Sequence, residues 1–326
     1  YEMSNTVIIN SKSEIGAGTN GASLGVDALK FTALNQNNSF FSNRSSINII
    51  DENNRIYSQN SSEFDITERL DALNRLYDDF CLKFEDVYKS GNLPIVLAGD
   101  HSSAGGTISA IKKSYPQKKL GVIWVDAHAD LHSPYTSPTG NIHGMPLAVS
   151  LGIDNIDNQK NNLSSKTIKS WSKLKNNGNI SPKISTNDIV IVGVRDTENE
   201  EDYLIKKYNI KTIKVEEVRE KGSIETSNTA LDYLEDCDII YVSFDVDSMD
   251  CDIVSFGTGT PVKNGFSEKE VTDLLVEFSK SPKLCCFEIT EINPLLDDKT
   301  NTMAETGLRI LNKVTHTIES KFIDIL

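Results

Sequence analysis

The sequence lacks the features that mark several classes of protein. Its five cysteines are odd in number and form no C-x-x-C pair, so neither a disulfide framework nor a zinc-thiolate site is indicated, and we expect reduced, buried thiols. No apolar run is long enough to cross a bilayer, and the first residues lack the basic and apolar regions of a signal peptide. We therefore expect a cytoplasmic protein with no membrane partner.

Positive charge is also in short supply. The chain has 33 lysines and arginines against 47 aspartates and glutamates, which gives a formal net charge of −14 at pH 7. This excess of acid argues against nucleic acid as a partner, although solubility alone would explain it. With 326 residues, of which 38% are hydrophobic, the chain can bury a sizeable core.

Glycine-rich phosphate-binding motifs are missing too. Gly105-Gly106 comes shortly after His101, but this spacing fits neither a P-loop nor a dinucleotide fingerprint. Close packing of a helix start is the better interpretation of these two glycines. A second glycine-rich segment, 16–27, predicts a loop that leads into a helix.

The rest of the chain alternates short apolar strands with amphipathic helices. Several strands are apolar on consecutive positions, which is typical of a parallel sheet that has helices on both faces. The sequence therefore predicts an α/β fold. The predicted strands are 94–98, the run that ends at Val125, 188–194, 211–215, 239–243 and 284–289.

Apolar residues recur at helical spacing from Ile66 to Val87, with Asp65 as the N-cap and Gly91 as the C-terminal stop. Further helices are predicted around 268–276 and 308–314. No internal repeat is present, and we expect one domain over residues 1–326. Its Asn-, Lys- and Ser-rich part, around 154–180, is predicted to be a polar surface excursion.

Ligand-type residues follow three of the predicted strands. Residues two apart in extended backbone point the same way, so the Asp-x-His-x-Asp run that starts at Asp126 could aim three side chains at one point. In open α/β sheets, sites lie at the carboxyl ends of the strands. The candidate ligands at this edge are His101, Asp126, His128, Asp130, Asp245 and Asp247.

Four aspartates cannot lie close together as anions without compensating positive charge. Their formal charge would offset two divalent cations, as in two-metal hydrolases. Ligation mainly by oxygen, with one imidazole per ion, favours Mn²⁺ over zinc. Taken alone, His101 would be better interpreted as a surface or hydrogen-bonded core histidine, and only the ordered set of six ligands favours a metal site.

The ordered motifs resemble those of the ureohydrolases, the family that contains arginase, agmatinase and formimidoylglutamase. The resemblance implies a three-layer α/β/α fold around a mostly parallel eight-stranded sheet. The motifs run from Gly99 to Pro294: Gly99-Asp100-His101, 126–130, 140–144, 243–247, Gly259-Thr260-Pro261 and 291–294.

The resemblance also implies roles for the ligands. One Mn²⁺ would be bound by His101, Asp126, Asp130 and Asp245, and the other by His128, Asp126, Asp245 and Asp247, so that Asp126 and Asp245 bridge. A hydroxide held between the two ions would attack a guanidinium carbon.

Three residues would take part in this chemistry. Asp130 would orient the hydroxide, His143 would shuttle protons, and Glu291 would receive the guanidinium. Turn packing remains an alternative for His143, and a plain ion pair remains one for Glu291. Glu288 is the rival carboxylate on the strand before Glu291.

The loop 132–141 resembles the arginase version, which implies hydrolysis of L-arginine to L-ornithine and urea. Agmatinase, formimidoylglutamase and a catalytically idle family member remain the alternatives, and a homo-trimer or homo-hexamer is the assembly that the resemblance implies. The run after Asp247 departs from the arginase pattern and is one residue longer. His132 and Glu198 also depart from it, since arginases carry Asn and Asp there. The implied substrate contacts are His132, Ser137, Thr139, Asn141, Glu198, Thr260 and Glu291.

Overall fold

A computed structural model describes residues 6–57 and 65–323. Eight strands form one sheet in the order β2-β1-β3-β8-β7-β4-β5-β6, and every neighbouring pair is parallel. The strands are β1 (Thr6–Ser11), β2 (Ser46–Asn48), β3 (Leu93–Ala98), β4 (Leu120–Val125), β5 (Ile189–Val192), β6 (Lys211–Ile213), β7 (Ile239–Asp245) and β8 (Leu284–Thr290).

Helices cover both faces of the sheet and form two separate hydrophobic cores with it. One core contains side chains of α3 to α7, and the other contains side chains of α1, α8, α9 and α10, so the three-layer α/β/α prediction is confirmed. The helices are α1 (Gly25–Asn35), α2 (Asn54–Tyr57), α3 (Ile66–Lys89), α4 (Ser103–Ser114), α5 (Pro146–Leu151), α6 (Ser165–Lys175), α7 (Asn199–Tyr208), α8 (Val215–Tyr233), α9 (Glu268–Ser279) and α10 (Thr302–Ile323).

The long helix α3 matches its prediction from the apolar spacing. Asp65 stands at its N-cap in extended backbone and accepts the hydroxyl hydrogen of Thr67 at 3.0 Å. Gly91, just past its end, has the left-handed φ of +73° that favours glycine. The glycine pair of α4 packs closely as predicted, because a Cβ at Gly105 would lie 2.2 Å from the Tyr77 hydroxyl oxygen.

Within the segment 154–180, helix α6 lies against α3. Its Trp171 and Leu174 side chains are buried in the core, and the Trp171 ring N–H donates to Asp154 at 2.6 Å. The five cysteines are buried and unpaired, as expected. Across the ranges 6–57 and 65–323, no helix is long and apolar enough to span a membrane.

A carboxylate, Glu288 of β8, is fully buried between the sheet and α4. One of its oxygens accepts the hydroxyl hydrogens of Thr107 at 2.6 Å and Tyr241 at 2.9 Å, while its other oxygen has no hydrogen-bond partner. Burial raises the pKa of Glu288 from 4.5 to about 7. The folded protein therefore holds a proton here at a pH where the unfolded chain has lost it.

This raised pKa predicts a specific pH dependence of stability. Between pH 4.5 and 7 the folded state binds more protons at Glu288 than the unfolded state does. The contribution of Glu288 to the free energy of unfolding therefore falls as pH rises, and it levels off above pH 7. Glu288→Gln stays neutral and can still accept both hydroxyl hydrogens. Between pH 5 and pH 8, the free energy of unfolding of the variant should therefore rise by about 2–3 kcal/mol relative to that of the parent protein.

Urea unfolding at pH 5, 6.5 and 8 measures this difference. All other groups titrate in both proteins, so the comparison isolates position 288. The exposed Glu225→Gln is the control and should leave the pH profile unchanged. Equal pH profiles for Glu288→Gln and the parent protein would show that Glu288 is already ionised in the folded state.

Candidate metal centre

Strand register brings the predicted ligands together. Leu97, Ile289, Phe244 and Val125 form one row across the four central strands. The next residues along these strands therefore emerge side by side at the carboxyl edge, where parallel sheets of this kind place their sites. These positions lead into His101, Asp126, Asp245 and Glu291.

Two residues at this edge have left-handed backbone. Asp130 has a φ of +52° and Glu291 a φ of +70°. Such conformations are uncommon for residues other than glycine and cluster at functional sites. Both side chains reach the same pocket as a result.

The first cluster forms around the imidazole of His101. Its Nδ1 lies 3.0 Å from an oxygen of Asp126 and 3.1 Å from oxygens of both Asp130 and Asp245. The nitrogen and the facing oxygens of Asp126 and Asp130 are buried and have no hydrogen-bond partner. Buried polar atoms are normally paired, so this arrangement fits a cation placed among them.

The other side of the His101 ring is held firmly. Its Nε2 is 2.8 Å from the Ser243 hydroxyl oxygen, and the ring stacks on Trp124 at 4.0 Å between centroids. If the Nε2 hydrogen is donated to Ser243, the Nδ1 lone pair points at the three carboxylates. Metal-binding histidines are commonly oriented by a second hydrogen bond of this kind.

The second cluster shares Asp126 with the first. The Nδ1 atom of His128 lies 3.0 Å from an oxygen of Asp247 and 3.4 Å from the Asp126 oxygen that the first cluster does not use. Asp126 thus presents one oxygen to each histidine. Asp245 offers Oδ2 to the first cluster, while its Oδ1 accepts the backbone N–H of Asp247 at 2.8 Å.

The electrostatics of the two clusters favour bound cations. Burial and then the charge of Asp126 raise the pKa of Asp130 to about 7, and burial and then Asp247 raise that of Asp245 well above its usual value. The pKa of Asp126 is lowered, since the two histidines outweigh its burial. Imidazole and carboxylate ligands in this geometry fit divalent metal ions.

His143 and Glu291 form a pair beside these clusters. The Nδ1 atom of His143 is 3.1 Å from Oε1 of Glu291, which also accepts the backbone N–H of His101 at 2.8 Å. Burial opposes the charge of His143, but the Glu291 carboxylate raises its pKa to about 9. Glu291 lines the pocket, whereas its rival Glu288 lies in the core.

The structure gathers the sequence-predicted site residues into one pocket, with Asp126 buried beneath its floor. The loop that carries Ser137 is held by the Asn161 side chain, which donates to the backbone carbonyls of Pro134 and Ser137. The predicted residues that line the pocket are His101, His128, Asp130, His132, Ser137, Thr139, Asn141, His143, Glu198, Asp245, Asp247, Thr260 and Glu291.

Several contributors to the site were not predicted. Asp196 lies 3.6 Å from Nε2 of His128, and Glu201 lines the pocket while accepting the backbone N–H of Leu131. The loop around Gly18 packs over Asn141, since a Cβ on Gly18 would lie 2.3 Å from the Asn141 amide nitrogen. Its glycine content was the only sequence signal for this contact.

Arg195 also has an unexpected place. Arg195 lies three residues before the predicted substrate contact Glu198, but its guanidinium donates to backbone carbonyls around the Asp247 loop. This loop includes the extra residue after Asp247, and the guanidinium fixes it against the segment that follows Thr260. The accepting carbonyls belong to Gly193, Asp247, Ser248, Met249, Val262 and Lys263.

The unpaired carboxylates predict that divalent cations stabilise the fold. At a free Mn²⁺ concentration 100 times the dissociation constant, one bound ion adds about 2.7 kcal/mol to the free energy of unfolding. Thermal unfolding with EDTA and with Mn²⁺ should show a large rise in midpoint with metal. Asp126→Asn should lose most of this rise because Asp126 faces both clusters, whereas the half-exposed Asp273→Asn on α9 should keep it. An equal rise in Asp126→Asn would place the stabilising ions elsewhere.

The sequence model of the arginase family matches residues 4–316 of the chain. An arginase from Brevibacillus brevis is 31% identical over 314 residues, which cover 95% of this chain and 97% of that protein. An arginase from Bacillus subtilis is 37% identical over 220 residues, 68% of each chain.

Solved structures show the same relation. The native structure of the arginase from Bacillus caldovelox at pH 5.6 aligns with a TM-score of 0.78 and 28% identity, covering 96% of this chain and 98% of that one. A formimidoylglutamase from Bacillus subtilis shares the fold at a TM-score of 0.72 and 18% identity, over 96% of this chain and 87% of that one. The resemblance seen in the motifs is confirmed, and the chain belongs to the arginase family of metal-dependent hydrolases that cleave a guanidino C–N bond.

Proposed function

We propose that the protein is a binuclear manganese arginase that hydrolyses L-arginine to L-ornithine and urea. The observation that carries the proposal is Asp126, which presents one carboxylate oxygen to His101 and the other to His128. A shared carboxylate between two imidazoles is the arrangement that two closely spaced ions need. The arginases among its relatives support the reaction.

The two ions would be held by the residues of the two clusters. We assign His101, Asp126, Asp130 and Asp245 to one and His128, Asp126, Asp245 and Asp247 to the other. Mn²⁺ is the proposed metal because oxygen ligands dominate both sets. When bound, the ions would lower the pKa of a water so that a hydroxide is available at neutral pH.

The chain's own residues would place the substrate over this centre. Glu291 would accept charge-assisted hydrogen bonds from the guanidinium, in the place where it now pairs with His143. The guanidinium carbon would then lie above Asp130, which orients the attacking oxygen by accepting its hydrogen. His143, released from Glu291, would deliver a proton to the leaving amine.

Selection among guanidino compounds would depend on the far end of the pocket. Ser137, Thr139 and Asn141 offer hydroxyl and amide groups to an α-carboxylate, while Glu198 offers a carboxylate to an α-ammonium. His132 and Thr260 complete this lining. Agmatine has no carboxylate, so it would leave the polar groups of the loop unpaired.

The remaining features of the proposal come from the resemblance and the composition. We propose one ureohydrolase domain over residues 1–326, assembled as a homo-trimer or homo-hexamer in the cytoplasm. The small-molecule partner is L-arginine. His132 and Glu198, which differ from the usual arginase residues, keep agmatine and formimidoylglutamate as the alternative substrates.

Urea release tests this function. Manganese-loaded protein should release urea from arginine at a kcat/KM at least about 100-fold above that for agmatine, because binding sites made for polar groups reject analogues that lack them. Asn141→Ala should reduce this preference by about tenfold or more, mainly through the KM for arginine. Asp126→Asn should abolish turnover, and the half-exposed Asp273→Asn should have no effect.

The products decide between the alternatives. Release of urea from agmatine but not from arginine would overturn the assignment of arginine as the substrate. Release of formamide from formimidoylglutamate would identify the enzyme as a formimidoylglutamase instead. A folded, manganese-loaded protein that hydrolyses none of the three would support the catalytically idle member.

A further inference from the structure

A third cluster of imidazole and carboxylate groups lies where β4 and α7 face each other across the pocket. It consists of His132, which follows β4, and Glu198 and Glu200, at the start of α7. One ligand atom of each residue lies within 4.8 Å of the other two. The ligand atoms of the two aspartate clusters lie equally close together.

Hydrogen bonds orient the ring of His132. Its Nδ1 is 3.0 Å from the hydroxyl oxygen of Thr136, and the hydroxyl hydrogen of Thr136 is directed to the Ser133 carbonyl at 3.4 Å. An Nδ1–H that donates to this hydroxyl oxygen leaves the Nε2 lone pair free for a ligand.

This lone pair faces a carboxylate. The Nε2 atom lies 2.7 Å from an oxygen of Glu198 and has no hydrogen-bond partner, in a residue that is only 8% exposed. Nδ1 of His101 shows the same pattern toward its three aspartates. A cation bound between this nitrogen and the carboxylate would pair both of them.

We propose that His132, Glu198 and Glu200 form a third divalent-cation site. One imidazole and two carboxylates are a ligand set that Mn²⁺ or Zn²⁺ accepts, and water would complete the coordination. Glu198 is half-exposed, so its side chain can adjust to the ion. The site needs nothing from the aspartate clusters.

Neighbouring residues define which groups are free to bind. The two oxygens of Glu201 accept the backbone N–H groups of Leu131 and Glu198, so this residue forms a wall of the site. The Lys160 ammonium contacts Glu200. Lys160 therefore competes with a metal ion for this carboxylate.

The consequence for catalysis rests on the proposed function. There, Glu198 receives the substrate's ammonium group, so a metal ion on the same carboxylate would exclude that ammonium. Excess Mn²⁺ should then raise the KM for arginine and leave kcat unchanged. The third site would make the enzyme sensitive to the concentration of its own metal.

Equilibrium dialysis against Mn²⁺ at millimolar concentration tests the site directly. The parent protein should bind one more ion per chain than Glu200→Gln or His132→Asn, each of which loses a ligand. Asp202→Asn removes one exposed negative charge from the same turn of α7 and should bind as many ions as the parent. Lys160→Met should lower the dissociation constant of the weakest-bound ion roughly two- to fivefold, because it removes the competing ammonium.

Kinetics separates this inference from the proposed function. In the parent protein, excess Mn²⁺ should raise the KM for arginine, and in Glu200→Gln this rise should be absent. Equal ion counts in the parent, Glu200→Gln and Lys160→Met would overturn the third site even if arginine is hydrolysed. An extra ion in a protein that releases no urea would keep the third site and overturn the proposed function.

Discussion

The structure depends on one electrostatic constraint, the burial of four aspartates around two histidines at one edge of a parallel sheet. In water these carboxylates would be solvated and far apart, but the fold removes that solvation and places their oxygens about 3 Å from the same nitrogen atoms. The raised pKa values of Asp130 and Asp245 show that the arrangement resists full ionisation without cations. A cation at each cluster removes this conflict, and the rest of the site is arranged around that requirement.

The surrounding structure holds the ligands in place before any ion binds. Ser243 and Trp124 fix the ring of His101, and Arg195 binds the backbone of the loop that carries Asp247. Thr260 donates its hydroxyl hydrogen to Asp247 at 2.9 Å. Because these contacts come from different strands and loops, a change in one of them would move a ligand without removing it.

Sequence reasoning predicted the centre of the molecule well and its periphery less well. The central strands are apolar on consecutive positions and lead into Asp, His or Glu residues, so their pattern predicts both the sheet and the candidate ligands. Edge strand β2 has only three residues, with exposed polar ends, and β1 carries buried Asn10 and Ser11, so neither has this pattern. Local pattern alone does not identify such strands.

Contacts between distant loops could not be predicted from the sequence, for a different reason. Nothing local to Arg195 indicates that its guanidinium binds backbone carbonyls more than 50 residues away, because backbone groups look alike in any sequence. The pairing of His132 with Glu198 likewise exists only once β4 and α7 are in place. The sequence shows that His132 and Glu198 each depart from the arginase pattern, but only the fold shows that the two side chains are in contact.

The central claim is that Asp126 bridges two metal ions, and anomalous diffraction from crystals of the manganese-loaded protein tests it most directly. The account predicts two strong peaks about 3.5–4 Å apart, one beside Nδ1 of His101 and one beside Nδ1 of His128, with one oxygen of Asp126 bound to each. A single peak, or two peaks that Asp126 does not join, would contradict it.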